Sequence, residues 1–271
     1  RPAAELFTAT FSRLSDADGH AALASAELTL PALVSGDEAA RAASSDAKKR
    51  LQLMWSKAYA RSDLYKCLAA AGSGAQTSDE ARLVQQVLGK FRQAGAALPD
   101  AEARAEVSAL DARCSALAFE IEQNINEDTT SVRLAGAELG GCGDDFVRSL
   151  PAAGGGGAAP DARLCSVKAP VLLPILKRAA LAETRRKMLE ASQRRCMAKN
   201  GPLLDELFER RHAAARGLGF ASHAERMLSS KMAGTPEKAE RFCRDMLGRI
   251  GPLRSRDVER LLARKKAERS R

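Results

Sequence analysis

The strongest constraint on this chain is the spacing of its apolar residues, which fall three and four apart between explicit helix start and stop signals. Thr77-Ser78-Asp79-Glu80 has the makings of a capping box: a threonine oxygen for a free backbone N–H and a glutamate placed to reach back. Leu83, Val87 and Phe91 follow at four-residue spacing, with Val84 and Leu88 beside them, and predict a buried helical face ending near Gly95. Pro99 is expected to open the next helix, where its missing N–H costs nothing. That helix should run to about Asn126, with Val107, Leu110, Cys114, Leu117 and Ile121 on one stripe. Upstream, Leu51, Met54, Ala58 and Leu64, with Tyr65 and Leu68, approximate another face that Gly72-Ser73-Gly74 breaks.

Two short stretches depart from this period. Thr130-Ser131-Val132-Arg133-Leu134 and Leu164-Cys165-Ser166-Val167 alternate, and are expected to pair as a small β ribbon (130–134 with 164–167). Between them come a short helix near 144–150 and the run Ala-Ala-Gly-Gly-Gly-Gly-Ala-Ala-Pro at 152–160. Four successive glycines read as a mobile surface loop. They lack the Gly-Lys-Ser/Thr ending and strand-to-helix context of a phosphate cradle.

From Pro170 the pattern is a series of short helices, with Pro174 inside the first and a second over 183–198. Asn200-Gly201-Pro202 is expected to end that second helix and start a third, with Leu203, Leu207 and Ala214 facing inwards, stopped by Gly217-Leu218-Gly219. Ser222-His223-Ala224-Glu225 is a further capping box. Thr235-Pro236-Glu237 combines a capping hydroxyl, a first-turn proline and an acid at the positive end of the helix dipole. Phe242, Met246 and Ile250 are expected to be its buried stripe, and Val258, Leu261 and Leu262 continue the amphipathic pattern.

The fold class expected is therefore all-α: a multi-helix lobe with one small ribbon. It divides by composition into a long-helix part (1–150), a Gly-rich loop (151–163) and a short-helix part (164–271). The start at Arg1 without methionine, and the uncapped charged helix at Arg271, predict a truncated chain.

Composition excludes several classes. Aromatic residues make up only 4%, as suits helices better than sheets. No stretch approaches the ~20 apolar residues of a membrane span, so no membrane partner is expected. The cysteines at 67, 114, 142, 165, 196 and 243 form no Cys-x-x-Cys pair and read as reduced thiols. The formal charge is +9, but +5 of it sits in 251–271, where eight Lys/Arg face three Asp/Glu. Elsewhere the signs are interspersed and basic residues do not alternate with aromatic ones. This is a solvated helix face rather than a nucleic-acid surface, and no nucleic-acid partner is expected.

Catalytic candidates fail on spacing. A helix-borne zinc site needs two histidines four apart with a glutamate between them. His20, His212 and His223 are the only histidines; Ala-Ala-Ala-Arg follows His212 and Ala-Glu-Arg-Met follows His223. His223 and Glu225, two apart, occupy different faces of a helix. No Gly-x-Ser-x-Gly elbow is present. Asn124-Ile125-Asn126-Glu127-Asp128 lacks the alternating ligands and central glycine of a calcium loop, and reads as the polar end of a long helix. The expected catalytic, cofactor-binding and metal-ligating sets within this chain are all empty.

One set of residues nevertheless points to chemistry. The stretch 119–129, Phe-Glu-Ile-Glu-Gln-Asn-Ile-Asn-Glu-Asp-Thr, is followed by Glu138-Leu139-Gly140-Gly141, Pro170 and Pro174, and Glu183-Thr184-Arg185-Arg186-Lys187-Met188. Arg195-Cys196, Asn200, Leu218-Gly219-Phe220, His223-Ala224 and Lys231-Met232-Ala233 continue the series. In order and spacing these resemble the thimet oligopeptidase and neurolysin family of zinc metallopeptidases, over about 150 residues of the N-terminal, non-catalytic portion. Cys142-Gly143 departs from the family's usual Leu-Pro.

The resemblance implies a largely helical fold of two lobes enclosing a narrow channel that admits short peptides. It also implies a zinc held by a His-Glu-x-x-His motif and a further glutamate, with the motif glutamate activating water. Those residues lie downstream of the matched region, so the resemblance implies zinc for the full-length protein and none bound by this chain. It implies an oligopeptidase (a hydrolase of short peptides) whose channel wall is supplied here. The alternatives left open are a non-catalytic peptide- or partner-binding module derived from the family, and an unrelated basic helical adaptor. A cytoplasmic location is expected, with a mitochondrial or other organellar one open; oligomeric state is left open.

Overall fold

The computed structural model describes residues 3–154 and 160–269. Most of the glycine run expected to form a mobile loop lies outside them. Helices dominate, with one two-stranded antiparallel sheet among the described residues.

The chain begins with α1 (Ala3–Phe7), a π-helical turn (Thr8–Ser12), α2 (Arg13–Thr29) and α3 (Pro31–Val34). There follow α4 (Glu38–Tyr59), α5 (Ser62–Gly72), α6 (Ser78–Gln93) and α7 (Ala101–Asn126). Then come β1 (Ser131–Leu134), α8 (Asp144–Ser149), β2 (Arg163–Ser166), α9 (Ala169–Arg178) and α10 (Ala182–Arg194). The last three are α11 (Met197–Gly217), α12 (His223–Leu228) and α13 (Pro236–Arg269). By contacts the chain forms two compact units, one up to Arg113 and again from Glu209, the other Cys114–Phe208. The division points fall inside α7 and α11, and so differ from the segmentation read from composition at 150 and 164.

In the first unit the capping box forms as expected. Glu80 N–H donates to Thr77 Oγ1 (3.2 Å), and Glu80 Oε2 accepts from the N–H groups of Thr77 (3.0 Å) and Gln76 (2.7 Å). Val87, Leu88 and Phe91 are buried, joined by Phe7, Phe11, Leu68 and Ala71. Phe7 stacks on Phe11 at 4.9 Å, and Tyr59 meets Phe91 edge-on at 5.2 Å. Such aromatic pairs add to the burial itself.

Two expectations are corrected here. The face over 51–68 belongs to two helices, α4 and α5, separated at Ala60-Arg61, and Met54 is exposed while Trp55 and Tyr59 turn inwards. Pro99 does not open α7. Asp100 caps it, its carboxylate accepting from the N–H groups of Glu102 (3.2 Å) and Ala103 (3.1 Å), because a carboxylate satisfies two free donors and proline satisfies none. Buried Ser44 was not anticipated: its Oγ donates to Leu28 O (2.7 Å) and accepts from Ala32 N (3.0 Å), fixing the α2–α3–α4 turn.

In the second unit the ribbon forms in the register Ser131↔Ser166, Val132↔Cys165, Arg133↔Leu164 and Leu134↔Arg163. Alternation sends Leu134 and Cys165 into a core with Leu139, Cys142, Leu150, Val167, Ile175 and Met188, while Arg133 and Leu164 face outwards. Burial pushes the Cys165 thiol up to about 11, and raises that of Cys142, so both are packing groups rather than nucleophiles. Gly143, beside Cys142, has φ 89°, a value closed to proline.

The 170–271 region is not a run of short helices. The helix expected over 183–198 stops at Arg194, where Cys196 takes the left-handed conformation (φ 57°), and Asn200-Gly201-Pro202 lies inside α11. Pro252 likewise lies within the 34-residue α13. On an exposed helix the carbonyl that proline leaves without a donor can be satisfied by water, so the proline does not end it.

A larger correction concerns α13. Phe242 (66% exposed), Met246 and Ile250 are not a buried stripe; with Leu247, Leu253, Val258, Leu261 and Leu262 they are open to solvent. The principal neighbour of α13 among the described residues is short α12, which cannot cover so long a face.

Candidate functional site

The residues that carry the family resemblance are the ones that knot each unit together. In the second unit, Thr184 is fully buried and its hydroxyl donates to Glu138 O (2.9 Å). Lys187 Nζ donates to Glu138 Oε1 (2.8 Å), while Glu138 Oε2 accepts from Ala135 N (2.9 Å). The Lys187 ammonium, then the Ala135 amide, hold the Glu138 carboxyl below its ordinary value; Glu138 in turn raises Lys187.

The following Gly140-Gly141 presses against the end of α9. Ala180 N donates to Gly140 O (2.8 Å), and a Cβ on Gly141 (φ 89°) would sit 2.5 Å from Arg178 O. Only glycine fits that approach. Arg185 closes the α9–α10 turn by donating to the carbonyls of Ala179 and Ala180. Met188 beside it is fully buried in the core. The Glu-Leu-Gly-Gly and Glu-Thr-Arg-Arg-Lys-Met stretches are thus the two halves of one docking contact.

A second polar cluster joins the end of α7 to the start of α11. Asn124 Nδ2 donates to Asn200 Oδ1 (2.8 Å), Asn200 Nδ2 to Ile121 O (3.4 Å), and Cys196 Sγ to Asn124 O (3.2 Å). Asn200 is 6% exposed, so its amide would be costly unpaired. Asn124 therefore does more than end a helix; it bridges to residues 72 and 76 positions away, which no local pattern signals.

In the first unit Arg226, only 8% exposed, is the central group. Its guanidinium donates to both Asp111 oxygens (2.9 and 2.7 Å) and to Gln93 O (2.7 Å). Gln93 Nε2 returns a bond to Arg226 O (3.3 Å). Ser222 caps α12 by accepting from Glu225 N (3.1 Å), and Glu225 reaches back one residue further than a capping box requires, to Ala221 N (2.7 Å). Periodicity offered no sign of Arg226, since an arginine three residues after His223 reads as an exposed charge.

The donor set does not fit a zinc ion. His20 and His212 are exposed on α2 and α11, and His223 lies on α12. Among the described residues no three His, Cys, Asp or Glu side chains stand close enough to share a metal.

Residues 175–271, from Ile175 in the second core onwards, match the model of Peptidase family M3. Over this stretch the chain is similar to peptidase family M3. Among its relatives is Oligopeptidase PhomG of Diaporthe leptostromiformis, 30% identical over 185 residues, or 68% of this chain and 26% of the relative. A probable thimet oligopeptidase of Arabidopsis thaliana is 27% identical over 240 residues, 88% of this chain and 33% of the relative. Oligopeptidase A of Salmonella typhimurium is 26% identical over 198 residues, 69% and 29% respectively. The chain thus spans about a quarter to a third of the length of these relatives, and the resemblance read from its ordered motifs is borne out. No helix among the described residues is long and apolar enough to cross a membrane.

Proposed function

We propose that this chain is the helical, non-catalytic part of a zinc-dependent oligopeptidase that hydrolyses short peptides. It supplies the wall of the peptide channel and no catalytic residue. The observation that carries this reading is the nature of the matched residues. Thr184, Lys187, Gly141, Asn200 and Cys196 are spent on internal bonds and close packing. Such residues preserve a scaffold, and the match of residues 175–271 to Peptidase family M3 supports reading it as part of a peptidase. Zinc, in a full-length peptidase of this kind, would supply Lewis-acid chemistry. Among the described residues no three His, Cys, Asp or Glu side chains stand together to hold it, and the proposal assigns no step of that chemistry to this chain.

Two measurements test the reading. The purified 271-residue chain should retain no stoichiometric zinc after gel filtration and should not cleave a quenched peptide. Chelator-sensitive cleavage would overturn the non-catalytic assignment. The transcript should encode an in-frame His-Glu-x-x-His beyond Arg271. Without it the proposal that the chain serves a peptidase is lost, and a peptide- or partner-binding module takes its place.

A further inference from the structure

The cluster around Arg226 contains one group that the scaffold role does not use. His223 stands three residues before Arg226, so the two side chains share a face of α12. The imidazole Nδ1 is shut off from solvent and has no hydrogen-bond partner among the described residues. The charged groups acting on the ring come from three helices: Arg211 on α11, Arg226 on α12 and Asp111 on α7. Asp111 is the acid among them, and both its oxygens are bonded to Arg226.

These facts set the protonation preference of the ring. A neutral imidazole with its proton on Nε2 leaves Nδ1 as a bare lone pair, the least costly form to bury. A second proton would place an N–H at Nδ1 with no acceptor, beside two guanidinium groups.

We propose that His223 is a proton-sensitive element of this chain: uptake of a second proton loosens α12 from its anchorage on Asp111 and Gln93. Protonation pushes the ring away from Arg226 and towards water, and the strain falls on the bonds by which Arg226 holds Asp111 and the Gln93 carbonyl. Burial first, and then Arg211 and Arg226, keep the imidazole below its ordinary value, with Asp111 opposing them. The unfolded ring binds its proton more readily than the folded one. The anchorage is therefore at full strength above about pH 6.5, the ordinary imidazole value, and weakens as pH falls from there towards the lowered folded value. The opening constant rises by at most about tenfold for each pH unit in that window.

The test uses the full chain. Amide hydrogen exchange over α12, corrected for intrinsic rates, is followed from pH 7.5 to 5.0 alongside an NMR titration of the His223 ring. Expected are a ring pKa below the ordinary value and exchange that speeds up several-fold across the window. In His223→Gln the acceleration should vanish. In Arg211→Gln it should shrink, because one of the repelling charges is gone; this second variant keeps the test decisive if the first is too unstable to measure. A ring pKa at or above the ordinary value overturns the proposal. So does acceleration in the variants equal to that of the parent.

Discussion

At the scale of single residues, the second unit depends on short polar contacts whose partners are far apart in sequence. Thr184 is the clearest. Valine has nearly its shape but no hydroxyl, so Thr184→Val would leave the Glu138 carbonyl without its donor inside a packed core. The expected loss is about 1–2 kcal/mol, read as a lower urea midpoint at unchanged slope. The neighbouring Lys187–Glu138 pair is partly exposed, at 45% and 27%, so Lys187→Met should cost less than Thr184→Val. That pair also has a pH signature. Because the folded Glu138 carboxyl is held below its ordinary value, its contribution is present at neutral pH. It is lost as pH falls through and below 4.5, the ordinary value. Stability should fall less steeply with acid in Lys187→Met than in the parent, and equal slopes would remove the pair from the account.

Helices as elements were legible where the signal is local. Thr77 and Glu80 sit three apart, Val87 and Phe91 four apart, and both the cap and the buried face formed where that spacing put them. Thr77→Ala should cost about 1 kcal/mol, seen as faster amide exchange in the first turn of α6 before any change in the rest of the unit. The ribbon was legible for the same reason, since alternation is a two-residue pattern. What escaped were boundaries set by partners distant in sequence. Cys196 adopts φ 57° and stops α10, and its thiol and Asn200 are held by Asn124 and Ile121, more than 70 positions earlier. The sequence around 200 shows Asn-Gly-Pro, a strong local break, and the tertiary bonds override it. Arg226 escaped likewise, because its ion pair with Asp111 spans 115 positions.

For the whole molecule, the open question is the apolar face of α13. Its residues were expected to be buried because amphipathic spacing records a face that meets something apolar, and the spacing carries no statement of where that surface comes from. Here Phe242, Leu247 and Leu261 are 66%, 71% and 67% exposed, on a helix whose principal neighbour is α12. If this chain does not itself cover the face, making it polar should leave folding untouched. The variant Phe242→Gln, Leu247→Gln, Leu261→Gln is expected to unfold within about 0.5 kcal/mol of the parent. It should also bind markedly less of a fluorescent apolar dye, and scatter less light as concentration rises. The added side-chain amides alone would account for the second pair of changes, so the unfolding measurement decides. A loss of several kcal/mol would mean that the stripe is packed in the folded chain after all, and that α13 belongs to its core.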